Sequence, residues 1–289
     1  CSSDLPESAT AASVSRNTSA VEPDAARPPA PASLHDFPRG AEAGTFLHEI
    51  LEWVAGQGFV AAAADAPALR EALSRRCEAR GWQRWLAPLA DWLPRFLRQP
   101  LPLPCAGEGS DRNPIGGAPP TVAFADLTAT MAEMEFWLAV HAVDTVRIDA
   151  LVRRHTLDGA DRPALRDGQL NGMLKGFIDL VFEHRGRYYI ADYKSNWLGP
   201  DDAAYTPAAM RAAILQSRYE LQYVLYLLAL HRLLESRLPD YDYDRHVGGA
   251  VYLFLRGSDA PSRGVHAERP PRALIAALDA LFAGAGEAS

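Results

Sequence analysis

Residues Gly176 to Asn196 read GFIDLVFEHRGRYYIADYKSN, and their pattern decides the fold. Two apolar-rich runs, Phe177 to Phe182 and Tyr188 to Tyr193, flank the polar His184-Arg185-Gly186-Arg187, where Gly186 can supply a positive φ. The pattern predicts a β-hairpin. An even-length loop centred between Arg185 and Gly186 pairs Glu183 with Tyr188 and Asp179 with Asp192. Directly opposed side chains have Cβ atoms roughly 4.5–5.5 Å apart, and like charges so placed are destabilising. Two facing aspartates therefore ask for a cation. Lys194, two residues beyond Asp192 on the same sheet face, is a diagonal neighbour of Asp179, so two acids and a lysine are expected on one patch. A one-residue bulge would move Asp179 to the other face, which makes the register a point the structure decides.

That patch suits hydrolysis of a phosphodiester. A hard divalent ion held by carboxylates polarises a phosphoryl oxygen and supplies a water-derived nucleophile, while a nearby ammonium stabilises charge developing at phosphorus or helps deprotonate the water. An isolated Asp-x-Lys triplet would instead read as a salt bridge on a solvated strand.

Upstream, residues 1–33 are rich in Ala, Pro and Ser with almost no large apolar side chains, which predicts a flexible linker ahead of one domain spanning 34–289. From Gly44 to Val54, Phe46, Leu47, Ile50, Leu51 and Val54 recur at helical spacing, with His48 beside the stripe. Residues 65–81 and 82–98 read as two amphipathic helices, the first capped by Asp65 and the second kinked or split by Pro88. Their tryptophans read as core or docking residues rather than base-stacking ones. A Pro/Gly-rich loop over 99–120 leads to MAEMEFWLAV, residues 131–140, expected to be a strand with Glu133 and Glu135 as rival approaches to the acid patch. A short helix over 143–154 precedes the hairpin, and one long helix over 207–238 follows it, with Pro207 in its first turn. On that helix Gln222 and Tyr226 lie one turn apart, so both can reach one ligand. Residues 248–255 read as a buried strand, followed by Arg256-Gly257 and a weakly patterned C-terminal helix.

The runs GFIDLVF, YYIADYKSNWLG, LQYVLYLLALHRLL and GGAVYLFLRG, with FPRGAEAGTFLHEILE upstream, resemble the RecB-type nuclease domains of bacterial RecBCD helicase-nucleases, within the PD-(D/E)xK superfamily. The resemblance spans roughly Leu34 to Gly257. It implies an α/β, restriction-endonuclease-like fold with a mixed central β-sheet flanked by α-helices. It further implies that His48, within Gly44-x-x-x-His48, joins Asp179 and Asp192 in binding Mg²⁺, with Mn²⁺ tolerated and the Tyr193 carbonyl a further ligand. Asp192 and Lys194 would be catalytic, and Gln222 and Tyr226 would position DNA or the catalytic groups. The implied partners are DNA, the helicase part of the same polypeptide, and RecC-like and RecD-like subunits, in the bacterial cytoplasm. The implied activity is cleavage of strands delivered by the helicases in double-strand-break repair and linear DNA degradation. The alternative is a non-catalytic DNA-end-binding or assembly module that keeps the fold. Such relatives lose acids or the lysine, and this chain keeps them.

Composition agrees with one sizeable soluble domain: 289 residues, 48% hydrophobic and 22% charged, with no apolar run long enough to span a bilayer and so no membrane association. The net charge of −7 argues against an autonomous tight DNA binder, a conflict that softens if a larger assembly delivers the strand. Three cysteines are too few for the four-cysteine iron-sulfur cluster carried by related nucleases such as the AddAB group, so no cluster is expected. The odd count gives no disulfide framework, which fits a reducing compartment. The first residue is Cys rather than Met, which reads as an excised fragment. No phosphate-binding Gly-x-x-x-x-Gly-Lys-Ser/Thr loop is present, so ATP hydrolysis would reside elsewhere.

Overall fold

The structure is a computed structural model and describes residues 33–105 and 119–284. The tether expected over 1–33 lies outside the described residues apart from Ser33. The elements run α1 (Ala41–Gln57), α2 (Phe59–Ala64), α3 (Ala66–Ala79), α4 (Leu86–Arg98), β1 (Leu101–Pro102), β2 (Thr121–Val122), β3 (Thr130–Asp144), α5 (Thr145–His155), β4 (Gln169–His184) and β5 (Arg187–Lys194). They continue with α6 (Pro207–Ser217), α7 (Tyr219–Arg237), α8 (Tyr243–His246), β6 (Val247–Phe254), β7 (Val265–Glu268) and α9 (Arg272–Phe282).

Strands β3 to β7 form a five-stranded sheet in sequence order, with β5 and β6 parallel and every other pairing antiparallel. A parallel pair needs a crossover, and α6 and α7 supply it. The fold is the expected α/β arrangement of a mixed sheet between helices. One face of the sheet packs Leu180, Phe182, Tyr189, Ala191 and Tyr193 under α1–α4. The other packs Ile178, Ile190, Tyr252 and Phe254 with Met134, Phe136 and Leu138 under α5, α6, α7 and α9. Buried on both faces, β6 is apolar along almost its whole length, as strands covered by helices on two sides must be.

The hairpin takes the register that the turn dictates from His184↔Arg187 and Glu183↔Tyr188 to Leu180↔Ala191, where the ladder ends, so the expected Asp179–Asp192 pair is not part of it and Asp179 turns its carboxylate to the Tyr193 N–H instead. Arg185 and Gly186 have φ of 54° and 76°, the two positive values of a two-residue turn whose twist matches that of the strands. Asp65 caps α3 as expected, accepting the Ala68 N–H at 2.9 Å.

Two helices differ from expectation. The segment 82–98 is a 3₁₀ turn, Gln83–Trp85, followed by α4, so Pro88 falls in a first turn where its missing N–H costs nothing, and Pro94 is the proline inside the helix. The long helix over 207–238 is two helices. Arg218 sits between them in left-handed conformation, φ 56° and ψ 35°, because its guanidinium turns into the protein to bond Asp149, Glu220 and the Pro163 carbonyl. Periodicity alone could not reveal that break, since both halves keep an apolar face.

Candidate active site

The acid patch lies where β4 and β5 pass beneath α1. Gly44 permits the approach: a Cβ there would stand 2.9 Å from Ser195 Oγ, so the helix rests directly on the chain leaving Lys194. One turn later His48 reaches the strand. Its Nε2 lies 2.7 Å from the Tyr193 carbonyl and therefore donates to it, while Nδ1 lies 3.5 Å from Asp179 Oδ2. Asp179 Oδ2 accepts the Tyr193 N–H at 2.7 Å. Both backbone polar groups of Tyr193 are thus held by predicted site residues.

On the opposite face of β5, Asp192 is buried, with 3% of its side chain exposed, and pairs closely with the Lys194 ammonium. Lys194 Nζ also donates to Gln222 Oε1 at 2.8 Å and lies 4.0 Å from the Tyr219 ring centroid. Gln222 Oε1 accepts a second bond from the Tyr252 hydroxyl at 3.0 Å, and Gln222 Nε2 donates to the Tyr226 hydroxyl at 2.7 Å. The glutamine and tyrosine expected to share a ligand therefore form a chain, tyrosine to glutamine to lysine to aspartate.

The position opposite Asp179 on β3 is Glu133, between the pairs Ala132↔Leu180 and Met134↔Ile178. Leu180 belongs to one core and Ile178 to the other, so the pleat changes face at Asp179, and Glu133 takes a φ of 49° to follow it. This decides between the two glutamates. Glu135 is occupied elsewhere, accepting from Lys175 Nζ at 2.9 Å and Trp137 Nε1 at 2.7 Å.

Charge at this place is out of balance. Burial pushes the Asp192 carboxyl up to about 7, against the pull of Lys194 and with a further push from Asp179. Burial also raises Glu133, helped by the charges of Asp179 and Glu52. For His48 burial opposes protonation, but the hydrogen bond and charge of Asp179, with the charge of Asp192, prevail and raise its pKa above the ordinary value. Acids outnumber cations here.

Among the described residues no group of three or more His, Cys, Asp and Glu side chains stands close enough to hold a metal as arranged. The donor chemistry nevertheless fits a hard divalent cation. Asp179, Asp192 and Glu133 offer carboxylate oxygens, Tyr193 a carbonyl and His48 an imidazole.

Several residues were not foreseen. Tyr219 stands three residues before Gln222 and seven before Tyr226, one face of α7, so helical spacing could have found it. Tyr252 gave no signal within an apolar strand. Arg256 is buried and donates to the carbonyls of Leu34, Phe37, Pro38 and Ser195 at 2.6–2.9 Å, fixing the end of β5 against the chain entering α1.

The family model of the PD-(D/E)XK nuclease superfamily matches residues 25–287. The RecBCD enzyme subunit RecB of Escherichia coli (strain K12) is 44% identical over 256 residues, covering 86% of this chain and 20% of that protein. RecB of Haemophilus influenzae is 37% identical over 256 residues, covering 86% of this chain and 19% of that protein. RecB of Mycobacterium tuberculosis (strain ATCC 25618 / H37Rv) is 42% identical over 127 residues, 41% of this chain and 12% of that protein. The chain spans about a fifth of the length of the first two relatives, and the matched part is their C-terminal nuclease part. With the acid-bearing hairpin and its lysine in the middle of the matched segment, this chain belongs to the PD-(D/E)XK nuclease superfamily, as a relative of the nuclease part of RecB.

Proposed function

We propose that this chain is a Mg²⁺-dependent deoxyribonuclease domain that cuts DNA strands delivered by a RecBCD-type helicase assembly. His48, Asp179 and Asp192, with the Tyr193 carbonyl, would hold the Mg²⁺, which when bound supplies electrophilic pull on the phosphodiester and acidifies water. Mn²⁺ would serve in its place, since an imidazole among oxygen donors suits it.

The observation that carries the reading is the setting of Lys194. Its ammonium is held by Asp192 on one side and Gln222 Oε1 on the other, with the Tyr219 ring beneath it, so few of its rotamers remain. A pre-positioned cation beside Asp192 stabilises charge as it develops at the phosphoryl oxygens without reorganising. Tyr226 and Tyr252 fix the Gln222 amide and thereby the lysine, so they act as positioning residues. Asp179 and His48 hold the Tyr193 backbone and with it the alternation that sends Asp192 and Lys194 to one face.

The net charge of −7 fits a catalyst that receives its substrate rather than captures it. The helicase part of the same polypeptide and RecC-like and RecD-like subunits would supply the strand and the ATP-driven movement, in double-strand-break repair and degradation of linear DNA. Among the described residues no helix is long and apolar enough to cross a membrane.

The test is Mg²⁺-dependent cleavage of labelled single-stranded DNA by this chain and by the assembly containing it, beside Asp192→Ala and Lys194→Ala proteins of matched circular dichroism. Cleavage that both substitutions abolish is expected. Parent-level cleavage by either variant would remove the chemistry from the hairpin, and no cleavage by the parent in either setting would make the domain a binding module.

A further inference from the structure

The ribbon of β3 and β4 has one covered face and one bare face. Met134, Phe136, Leu138 and Ile178 enter the core under α5, α7 and α9. The alternate residues beyond the change of face at Asp179 point outward with large apolar groups in solvent: Trp137 is 53% exposed, Met173 56% and Phe177 44%. No residue of β3, and none of β4 before Leu180, belongs to the core under α1–α4. So α1 covers the sheet as far as the acid patch, and the bare ribbon begins there.

Its chemistry is specific. Trp137 pairs across the strands with Lys175, and Glu135 with Phe177, which puts the two rings on a diagonal with the lysine between them. Lys175 Nζ lies 4.9 Å from the Trp137 ring centroid and 5.0 Å from that of Phe177. Glu135 holds Lys175 Nζ at 2.9 Å and Trp137 Nε1 at 2.7 Å, so the rings are the principal feature offered to an unpaired nucleic-acid strand, with the half-neutralised lysine between them for the linking phosphate.

Position identifies the occupant. Phe177 precedes Asp179 by two residues, about 7 Å along the strand, and Trp137 follows Glu133 by four, about 13 Å. Any strand reaching the acids from this side crosses the rings first, whereas a protein seated on the ribbon would abut the reacting centre. We infer that Trp137, Lys175 and Phe177 form a stacking platform for single-stranded DNA that leads a strand into the acid patch. This rests on the nuclease reading above and names how the substrate is held on one side of the scissile bond.

The platform is tested by two measurements on this chain. The first is binding of a fluorescein-labelled oligothymidine by anisotropy in EDTA, where no cleavage occurs, for the parent, Trp137→Ala, Phe177→Ala and Trp137→Phe. Stacking predicts affinity about 5- to 100-fold weaker for each alanine protein and near-parent affinity for Trp137→Phe. The second is steady-state hydrolysis with Mg²⁺ of the same oligothymidine and of bis(p-nitrophenyl) phosphate, which is too small to touch the ribbon. The alanine proteins should raise KM for the oligonucleotide, leave its kcat in place and leave the small diester unaffected. Because the substituted side chains are outside the core, unchanged melting curves are expected and checked. Equal oligothymidine binding by parent and both alanine proteins, or no binding by the parent, overturns the platform. So does loss of a helicase or RecC-like partner on substitution with DNA affinity unchanged, which would mark a protein-docking face. Absent hydrolysis of the small diester with stacking-dependent binding intact would count against the nuclease reading and leave the platform standing.

Discussion

Two clusters of charge, one fully buried and one partly open to solvent, are built on opposite principles. Around the break between α6 and α7, Glu220 and Arg162 have no exposed side-chain surface and lie 3.5 Å apart, and Arg218 bonds Glu220 and Asp149 at 2.6 Å each. The remaining Arg162 donors go to Thr156 and the Ala160 carbonyl, so its cation is matched by acceptors on every side. At the hairpin the balance is reversed. Asp179, Asp192 and Glu133 gather around one lysine and one histidine, and burial with mutual repulsion lifts Asp192 to about 7. Buried charge by itself therefore says little about function. Paired charges hold an awkward backbone turn in place, although Glu220 Oε2 is left without a hydrogen bond, while the acid surplus at the hairpin is what a divalent cation is proposed to offset.

Lys194→Ala or Asp192→Ala should lower the rate of DNA cleavage on the order of 10³-fold, as removal of a pre-positioned charge-stabilising group does, whereas Glu220→Gln in protein that remains folded should leave the rate near parent. Rates on labelled single-stranded DNA at saturating Mg²⁺ check this. Next comes stability. Glu220→Ala strands Arg162 and Arg218 and should cost about 3–5 kcal/mol in urea unfolding. Asp179→Asn, which removes one member of the surplus, should unfold in EDTA at or above the parent's urea midpoint. The contrast between the two glutamates of β3 sharpens the edge of the site. Glu133→Gln should weaken Mn²⁺ binding by about 10- to 100-fold, the usual effect of a partner just outside the ligand set, and Glu135→Gln should leave it unchanged.

The smallest effect is the dependence of stability on pH. Asp192 has a folded pKa of about 7 against an ordinary 3.8, so its contribution is fully present below 3.8 and is lost as pH rises through about 7. His48, raised above 6.5, acts in the same direction, fully present below 6.5 and lost as pH rises through its raised value. In EDTA the melting temperature should fall between pH 5 and pH 8, and Asp192→Asn should flatten the fall. A rise over that interval with the same substitution inert would mean that the acids are not in surplus.

Much of this was legible in the chain. The hairpin register followed from one Gly at the turn and the count of residues about it, and the helix bearing His48 from five apolar positions. Legibility ended where a contact rather than a period sets the geometry. The break at Arg218 depends on Asp149 and the Pro163 carbonyl, both far away in sequence, and the change of face at Asp179 depends on a glutamate with positive φ on the neighbouring strand. The same irregularity separates Glu133 from Glu135, which spacing leaves equivalent. The bare face of the β3–β4 ribbon was invisible for a related reason: alternation tells which residues share a face, but not whether a helix covers it.

A divalent cation is expected to complete the acid-rich cluster at the hairpin. Mn²⁺ binding, read from loss of the free-ion electron paramagnetic resonance signal, tests it without requiring any cleavage. The parent and Glu135→Gln should take up Mn²⁺ and give it up to excess Mg²⁺, and Asp179→Asn and Asp192→Asn should not take it up at matched protein concentration. Equal uptake by all four proteins, or none by the parent, would contradict the account.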